Sequence, residues 1–117
     1  MITRGQLRRG DVVWLNFDPS LGHEFRGRRP AIVVQSDKQL LKSNLVTVVP
    51  LTSNIRNAVD DDVLIQADKV NNLQSQSVAK VYCVSSFDYA RIVKKIGKVN
   101  AVTRRSIKAY LKKHFDL

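Results

Sequence analysis

Hydrophobic and polar residues alternate along the first third of the chain in a pattern that predicts strands. From Asp11 to Phe17, Val13, Leu15 and Phe17 fall on one face, and Val12, Trp14 and Asn16 on the other. Asp18-Pro19-Ser20 ends this strand, because proline removes a ladder donor and Asp-Pro favours a turn. A polar segment, 20–29, separates it from a second strand that Pro30 opens. The four consecutive apolar residues Ala31, Ile32, Val33 and Val34 suggest a central position for that strand. Residues 36–43 offer an N-cap and Leu40/Leu41, enough for one helical turn or an irregular loop. Leu45–Leu51 is a third strand rich in β-branched residues, with Pro50 implying an edge, a bulge or the strand's end.

Residues 60–66 lead into a fourth strand after the polar loop 52–57, and residues 76–85 hold one or two more. Asp60, Asp61 and Asp62 point in successive directions, so a solvated turn fits them better than a chelating cluster. Residues 86–99 are mixed and contain a basic run, Arg91, Lys94, Lys95 and Lys98. A last helix runs from Asn100 or Thr103 to Phe115, with Thr103 as a plausible cap and Ile107, Tyr110, Leu111 and His114 on one face. Residues 1–9 are polar and basic and read as an arm that orders on contact, residues 1–8 being its span ahead of the core. Five or six short strands and a terminal helix predict one mainly β (α+β) domain over 1–117, a small and strongly bent sheet or barrel with helices packed on it.

Charge changes the picture more than composition does. Twenty Lys and Arg against ten Asp and Glu give a formal net charge of +10 in 117 residues, which favours polyanionic partners. No apolar run approaches the roughly 20 residues a membrane helix needs, and no apolar signal region follows Met1, so a soluble cytoplasmic protein is expected. The single cysteine, Cys83, excludes an internal disulfide and reads as a small core residue.

The densest chemistry lies in the loop between the first two strands, with Asn16, Asp18, His23, Glu24, Arg26, Arg28 and Arg29. Gly22 and Gly27 bracket it. The chain contains no HExxH, CxxC, GxxxxGK[ST] or GxSxG, so metal, P-loop and acyl-transfer chemistry lack their usual parts and no metal or cofactor is expected. Acid–base chemistry aided by cations remains, and RNA cleavage can run on that alone, because the ribose 2′-OH is the nucleophile. His23 or Glu24 could serve as base, Arg29 could grip a phosphate, and Thr52 offers a hydroxyl at the end of the third strand. Each also has a plain structural reading: His23 solvated, Glu24 paired with an arginine, and Thr52 in a turn. The residues by themselves support a basic binding module more than an enzyme.

In order along the chain, Arg9-Gly10-Asp11, Phe17-Asp18-Pro19, Gly22-His23-Glu24, Arg29-Pro30-Ala31 and Pro50-Leu51-Thr52-Ser53 resemble the MazF/PemK/Kid family of toxin endoribonucleases. Ser77-Val78-Ala79-Lys80 and Ile96-Gly97-Lys98 extend the resemblance, which runs from Arg8 to about Leu111. It implies a small SH3-like antiparallel barrel of CcdB/MazF type, usually a homodimer, acting as the toxin of a type II toxin–antitoxin system. It further implies metal-independent cleavage of single-stranded RNA to a 2′,3′-cyclic phosphate and a 5′-OH, blocked by an acidic antitoxin. By motif, Arg29 and Thr52 take the catalytic positions, with His23 or Glu24 as base. Asn16, Asp18, Arg26, Arg28, Ser53, Arg56 and Lys80 become candidate RNA contacts. In the Kid-like branch a later strand carries an arginine and an aspartate as acid and base, and this chain has Lys80 and Tyr82 there. A non-enzymatic, CcdB-like gyrase-binding toxin and a catalytically inactive RNA-binding relative are the competing expectations.

Overall fold

The computed structural model describes residues 2–117. Seven strands form one bent antiparallel sheet: β1 (Asp11–Asn16), β2 (Arg28–Val33), β3 (Leu45–Thr52), β4 (Val63–Ile65), β5 (Ser77–Ala79), β6 (Ser85–Asp88) and β7 (Ile92–Lys98). Their order is β4-β5-β3-β2-β1-β7, and β6 also pairs with β3. Among the described residues β4 and β7 do not pair with each other, so the sheet curls without closing into a barrel. Among the described residues there are also two α-helices, α1 (Asp37–Lys42) and α2 (Ala101–Phe115).

The period-two reading of β1 holds, and both faces are buried. Val13, Leu15 and Phe17 join Ala31, Val33, Val46 and Val48 in one apolar cluster. Val12 joins Ile32, Val49, Leu51 and Ile107 in a second cluster, on the opposite face. Each fully buried aliphatic chain contributes about 1.5–3 kcal/mol, so two covered faces explain how three adjacent strands tolerate near-continuous apolar runs. Helix α2 covers the second face through Ile107, with Tyr110 and Leu111 partly buried beside it, while His114 is exposed.

Several expectations need correction. The N-terminal segment is part of the fold: Leu7 is 1% exposed and sits in the first cluster. The chain around it is tied down by Arg8 N donating to Asp11 Oδ2 (2.7 Å) and Arg9 N to Asp37 Oδ1 (2.7 Å). Strand β2 begins two residues before Pro30, which lies opposite Trp14. Pairing of β2 with β3 starts only at Ala31, so the proline has a strand neighbour on one side. Pro50 sits within β3, between the part that pairs with β6 (through Val48) and the part that pairs with β5 (from Leu51). A residue without an N–H suits that change of partner. Residues 92–98 form a strand, β7, against β1. Asn100, rather than Thr103, caps α2, its Oδ1 accepting from Thr103 N at 2.8 Å.

A close backbone approach at Gly97 joins β7 to the segment that precedes β5. A Cβ at Gly97 would lie 2.4 Å from the Val70 carbonyl oxygen and 2.5 Å from that of Asn71. Only glycine lets this segment lie directly on β7. Lys98 N donating to Val70 O (3.1 Å) and Asn72 Nδ2 to Ile96 O (2.6 Å) then fasten it there.

Candidate functional site: a cationic cleft at the ends of β2 and β3

Strand register brings the two principal candidates together. The β2–β3 pairs are Val33 with Val48, Ile32 with Val49 and Ala31 with Pro50. Continued along the same antiparallel ladder, they set Arg29 opposite Thr52, just beyond the last paired residues. Because Arg28 and Arg29 belong to β2, the arginine stands on a strand rather than on the loop. Its Nε donates to Arg26 O (3.0 Å) and its guanidinium lies 5.2 Å from the Phe25 ring centroid. Neither terminal nitrogen is engaged by another described residue, so both donors of the fork stay available. Thr52 Oγ1 accepts from Asn54 N (3.1 Å), which fixes the oxygen and leaves its proton to donate.

Both residues line a cleft of ≈ 870 Å³ whose walls also include Trp14, Ser53, Lys94 and Lys95. Its far side is residues 72–75, held on β7 by the Gly97 approach. Arg26, Arg28, Arg29, Lys94 and Lys95 place five cations on the lining, which contains no Asp, Glu or His. Lys95 is shared with the buried Asp11 carboxylate at 3.2 Å, whereas Lys94 is exposed and has no ion-pair partner among the described residues. An oxygen-rich polyanion fits this lining, and a cationic ligand does not.

His23 and Glu24 are on the neighbouring loop and face a different cavity, of ≈ 390 Å³. Both are exposed. The loop is closed by its own bonds: Phe17 N to Gly27 O (2.8 Å), Leu21 N to Glu24 Oε1 (2.6 Å) and Arg26 Nη2 to Gly22 O (3.2 Å). Gly27, with φ +68°, permits the turn back into β2. Phe25, under the Arg29 guanidinium, is the physical link between this cavity and the cleft.

Residues 8–115 match the family model described as PemK-like, MazF-like toxin of type II toxin–antitoxin systems. This chain belongs to that family. Among its relatives, endoribonuclease MazF9 of Mycobacterium tuberculosis is 34% identical over 116 residues, covering 95% of this chain and 98% of that protein. The endoribonuclease toxin MazF of Escherichia coli K12 is 36% identical over a shorter stretch, 45% of this chain and 48% of that one. The crystal structure of MazF from Deinococcus radiodurans superposes with a TM-score of 0.82 at 26% identity, covering 95% and 97% of the two chains. The MazE–MazF structure from the same organism gives 0.75 at 21% identity over 95% and 97%, a likeness of fold.

For this PemK/MazF-like toxin, the remaining candidates divide clearly. Ser53, Arg26 and Arg28 line the cleft. Asn16 and Asp18 build the turn after β1 instead: Asn16 Oδ1 accepts from Asp18 N (3.0 Å), and the Asp18 carboxylate accepts from Ser20 Oγ (3.3 Å). Arg91 bonds the backbone carbonyls of both residues. Arg56 is exposed on the short 3-10 turn Ile55–Asn57, away from the cleft lining. Lys80 is a correction. Its side chain is 8% exposed, its Nζ donates to Asn57 O (2.8 Å) and pairs with Asp62 at 2.5 Å, and it has no free face for RNA. The Asp62 side chain, 2% exposed, is likewise not part of a solvated turn. Asp60 and Asp61 are exposed, and Asp61 pairs with Lys113 at 2.7 Å. Tyr82 is 52% exposed and brings no carboxylate. Trp14, Lys94, Lys95 and the 72–75 wall were not among the predicted site residues, although the basic run containing both lysines is visible in the sequence.

Proposed function

We propose that this toxin is an antitoxin-controlled endoribonuclease that cuts single-stranded RNA, arresting translation and growth. The observation that carries the reading is the placement of Arg29 and Thr52 at neighbouring ends of two paired strands, β2 and β3, inside one cleft lined by five cations. In RNA the 2′-OH attacks the adjacent phosphorus, the 5′-oxygen departs, and a 2′,3′-cyclic phosphate and a 5′-OH result. The protein must supply a base, a proton for the leaving oxygen, and positive charge where the phosphoryl oxygens gain negative charge. Arg29 presents its free terminal nitrogens to those oxygens and is the proton donor of this scheme. Thr52 Oγ1 orients the phosphate by one hydrogen bond. Lys94, Lys95, Arg26 and Arg28 hold the flanking backbone.

The general base of this scheme is His23 or Glu24, on the loop whose Phe25 ring lies under the Arg29 guanidinium. The two are separated by their pH–rate profiles: the limb reporting base ionisation disappears in the variant that lacks the base. The relatives named MazF are endoribonucleases, and MazF of D. radiodurans has been seen with MazE. An acidic antitoxin suits the +10 charge of this chain, and a homodimer in the cytoplasm is the expected working form. The test is cleavage of single-stranded RNA by purified protein in EDTA, with end-group analysis. Cleavage leaving cyclic phosphate, lost in Arg29→Ala protein that is still folded, supports the reading. An Arg29→Ala protein that cuts at the wild-type rate removes Arg29 from the mechanism. Folded protein that binds RNA and never cuts it would make the chain a binding module.

A further inference from the structure

The cavity beside the cleft has the makings of a base pocket. Its walls are Phe17, Phe25 and Phe87, with the Phe87 ring edge-on to Phe17 at 5.2 Å between centroids and Phe25 tilted at 6.0 Å. Phe25 and Phe87 are only partly buried, and each carries a guanidinium, Arg29 over Phe25 at 5.2 Å and Arg91 over Phe87 at 5.6 Å. The cavity thus joins flat apolar surface to positive charge, the combination that stacks a base while its phosphate is held nearby.

Its position follows from the same ladder as the cleft. Pro50, another wall, is paired with Ala31, the last β2–β3 pair, and Thr52 and Arg29 each lie two residues further along their strands on the same face. Two residues of strand span about 6.6 Å. Arg29, a wall of the cleft, lies over the Phe25 ring, a wall of the cavity, so a group in the cavity neighbours the phosphate in the cleft. The rim is polar and selective. One Glu24 oxygen is bound to Leu21 N, which leaves the second as a pure acceptor, and Ser85 Oγ donates to Cys83 O (3.2 Å) with lone pairs to spare. His23 completes the rim. Burial raises the Cys83 thiol above its usual range, which keeps that wall uncharged.

We propose that this cavity receives one RNA base adjoining the phosphate held by Arg29 and Thr52, and thereby sets part of the sequence preference of cleavage. The proposal rests on the ribonuclease reading of the neighbouring cleft. An unpaired base enters between Phe25 and Phe87, stacks on one ring, and offers its N–H groups to the free Glu24 oxygen.

The test uses a short RNA that the wild-type chain cuts once, and two copies of it with an abasic ribose on one or the other side of the cut. One abasic copy should lower wild-type kcat/KM about 5- to 150-fold, the worth of a base–aromatic stack. In Phe87→Ala, and in Ser85→Trp, which fills the cavity from its exposed edge, the ratio between intact and abasic RNA should fall towards one. Cleavage sites in a mixed RNA pool should lose their preference at that same nucleotide. An equal abasic penalty in wild type and both variants, or no penalty on either side of the cut, overturns the base pocket while leaving the ribonuclease reading intact. Failure of the wild-type chain to cut the intact RNA overturns both.

Discussion

Arg29, on β2, and Lys80, just after β5, are cations of the same sheet, yet their surroundings give them opposite work. Arg29 rests on Phe25 with its terminal nitrogens open to a cleft that holds four other cations. Lys80 is enclosed, its ammonium bonded to Asn57 O and the Asp62 carboxylate. A charge kept in solvent reach can be lent to a ligand; a charge taken out of water must be matched within the protein. The Lys80–Asp62 pair pins residues 57–62, the far end of the segment that begins at Thr52, and holds it against the start of the turn after β5. Part of the cationic excess therefore serves the frame that holds the cleft, and part serves whatever enters it.

Deleting the buried cation challenges this contrast most severely. Lys80→Ala should lose about 3–5 kcal/mol in urea unfolding, because Asp62 is left charged and buried. One Asp62 oxygen, Oδ1, already lacks a hydrogen-bond partner among the described residues, so the site has nothing in reserve. Replacing both partners with apolar residues, Lys80→Met with Asp62→Leu, should recover most of the loss. Unchanged stability with weakened RNA binding would turn the contrast around.

Arg29→Ala should do the reverse. Cleavage should fall by more than the roughly 10²- to 10³-fold cost of one charge-stabilising donor, because the proton donor goes with it, while the urea midpoint barely moves. A large loss of stability would mean that Arg29 is structural too. Thr52→Val removes one hydrogen bond and keeps the shape, so a loss of about tenfold in single-turnover rate is expected; no loss would exclude the hydroxyl. A smaller effect separates the two cleft lysines. Lys94→Ala should reduce the salt slope of RNA binding by about 0.7, and Lys95→Ala by less, because Lys95 is shared with Asp11. Smallest is the response of Cys83. Burial raises its pKa, so at mildly alkaline pH it holds less thiolate than a free thiol, and alkylation should be slower than that of a model thiol.

The contrast also shows where sequence reading stops. The apolar runs of β2 and β3 were legible because both faces of those strands are buried, and the alternation in β1 because Trp14 and Asn16 are only partly covered. Strand β7 was not, since Lys94 and Lys95 break the apolar pattern on an edge strand whose side chains meet solvent. Leu7 was lost among arginines, and it is buried by joining Leu40 of α1 and the strand residues of the first apolar cluster. In Asp60-Asp61-Asp62 the letters are identical and only the third turns inward, towards a lysine distant in sequence. The motif marked Arg29 and Thr52, but their opposition depends on a register that no residue type announces. His23 and Glu24 drew attention as the titratable groups of the loop, and they belong to the next cavity.

The ribonuclease reading stands or falls on whether the Arg29–Thr52 cleft positions an RNA phosphate for attack by its own 2′-OH. The deciding measurement is cleavage of one RNA oligonucleotide and its copy with a single 2′-deoxy sugar at the scissile position, both in EDTA. The RNA should be cut there to a 2′,3′-cyclic phosphate, and the deoxy copy should not be cut at that bond. Cleavage of the deoxy copy at the same bond would contradict the reading.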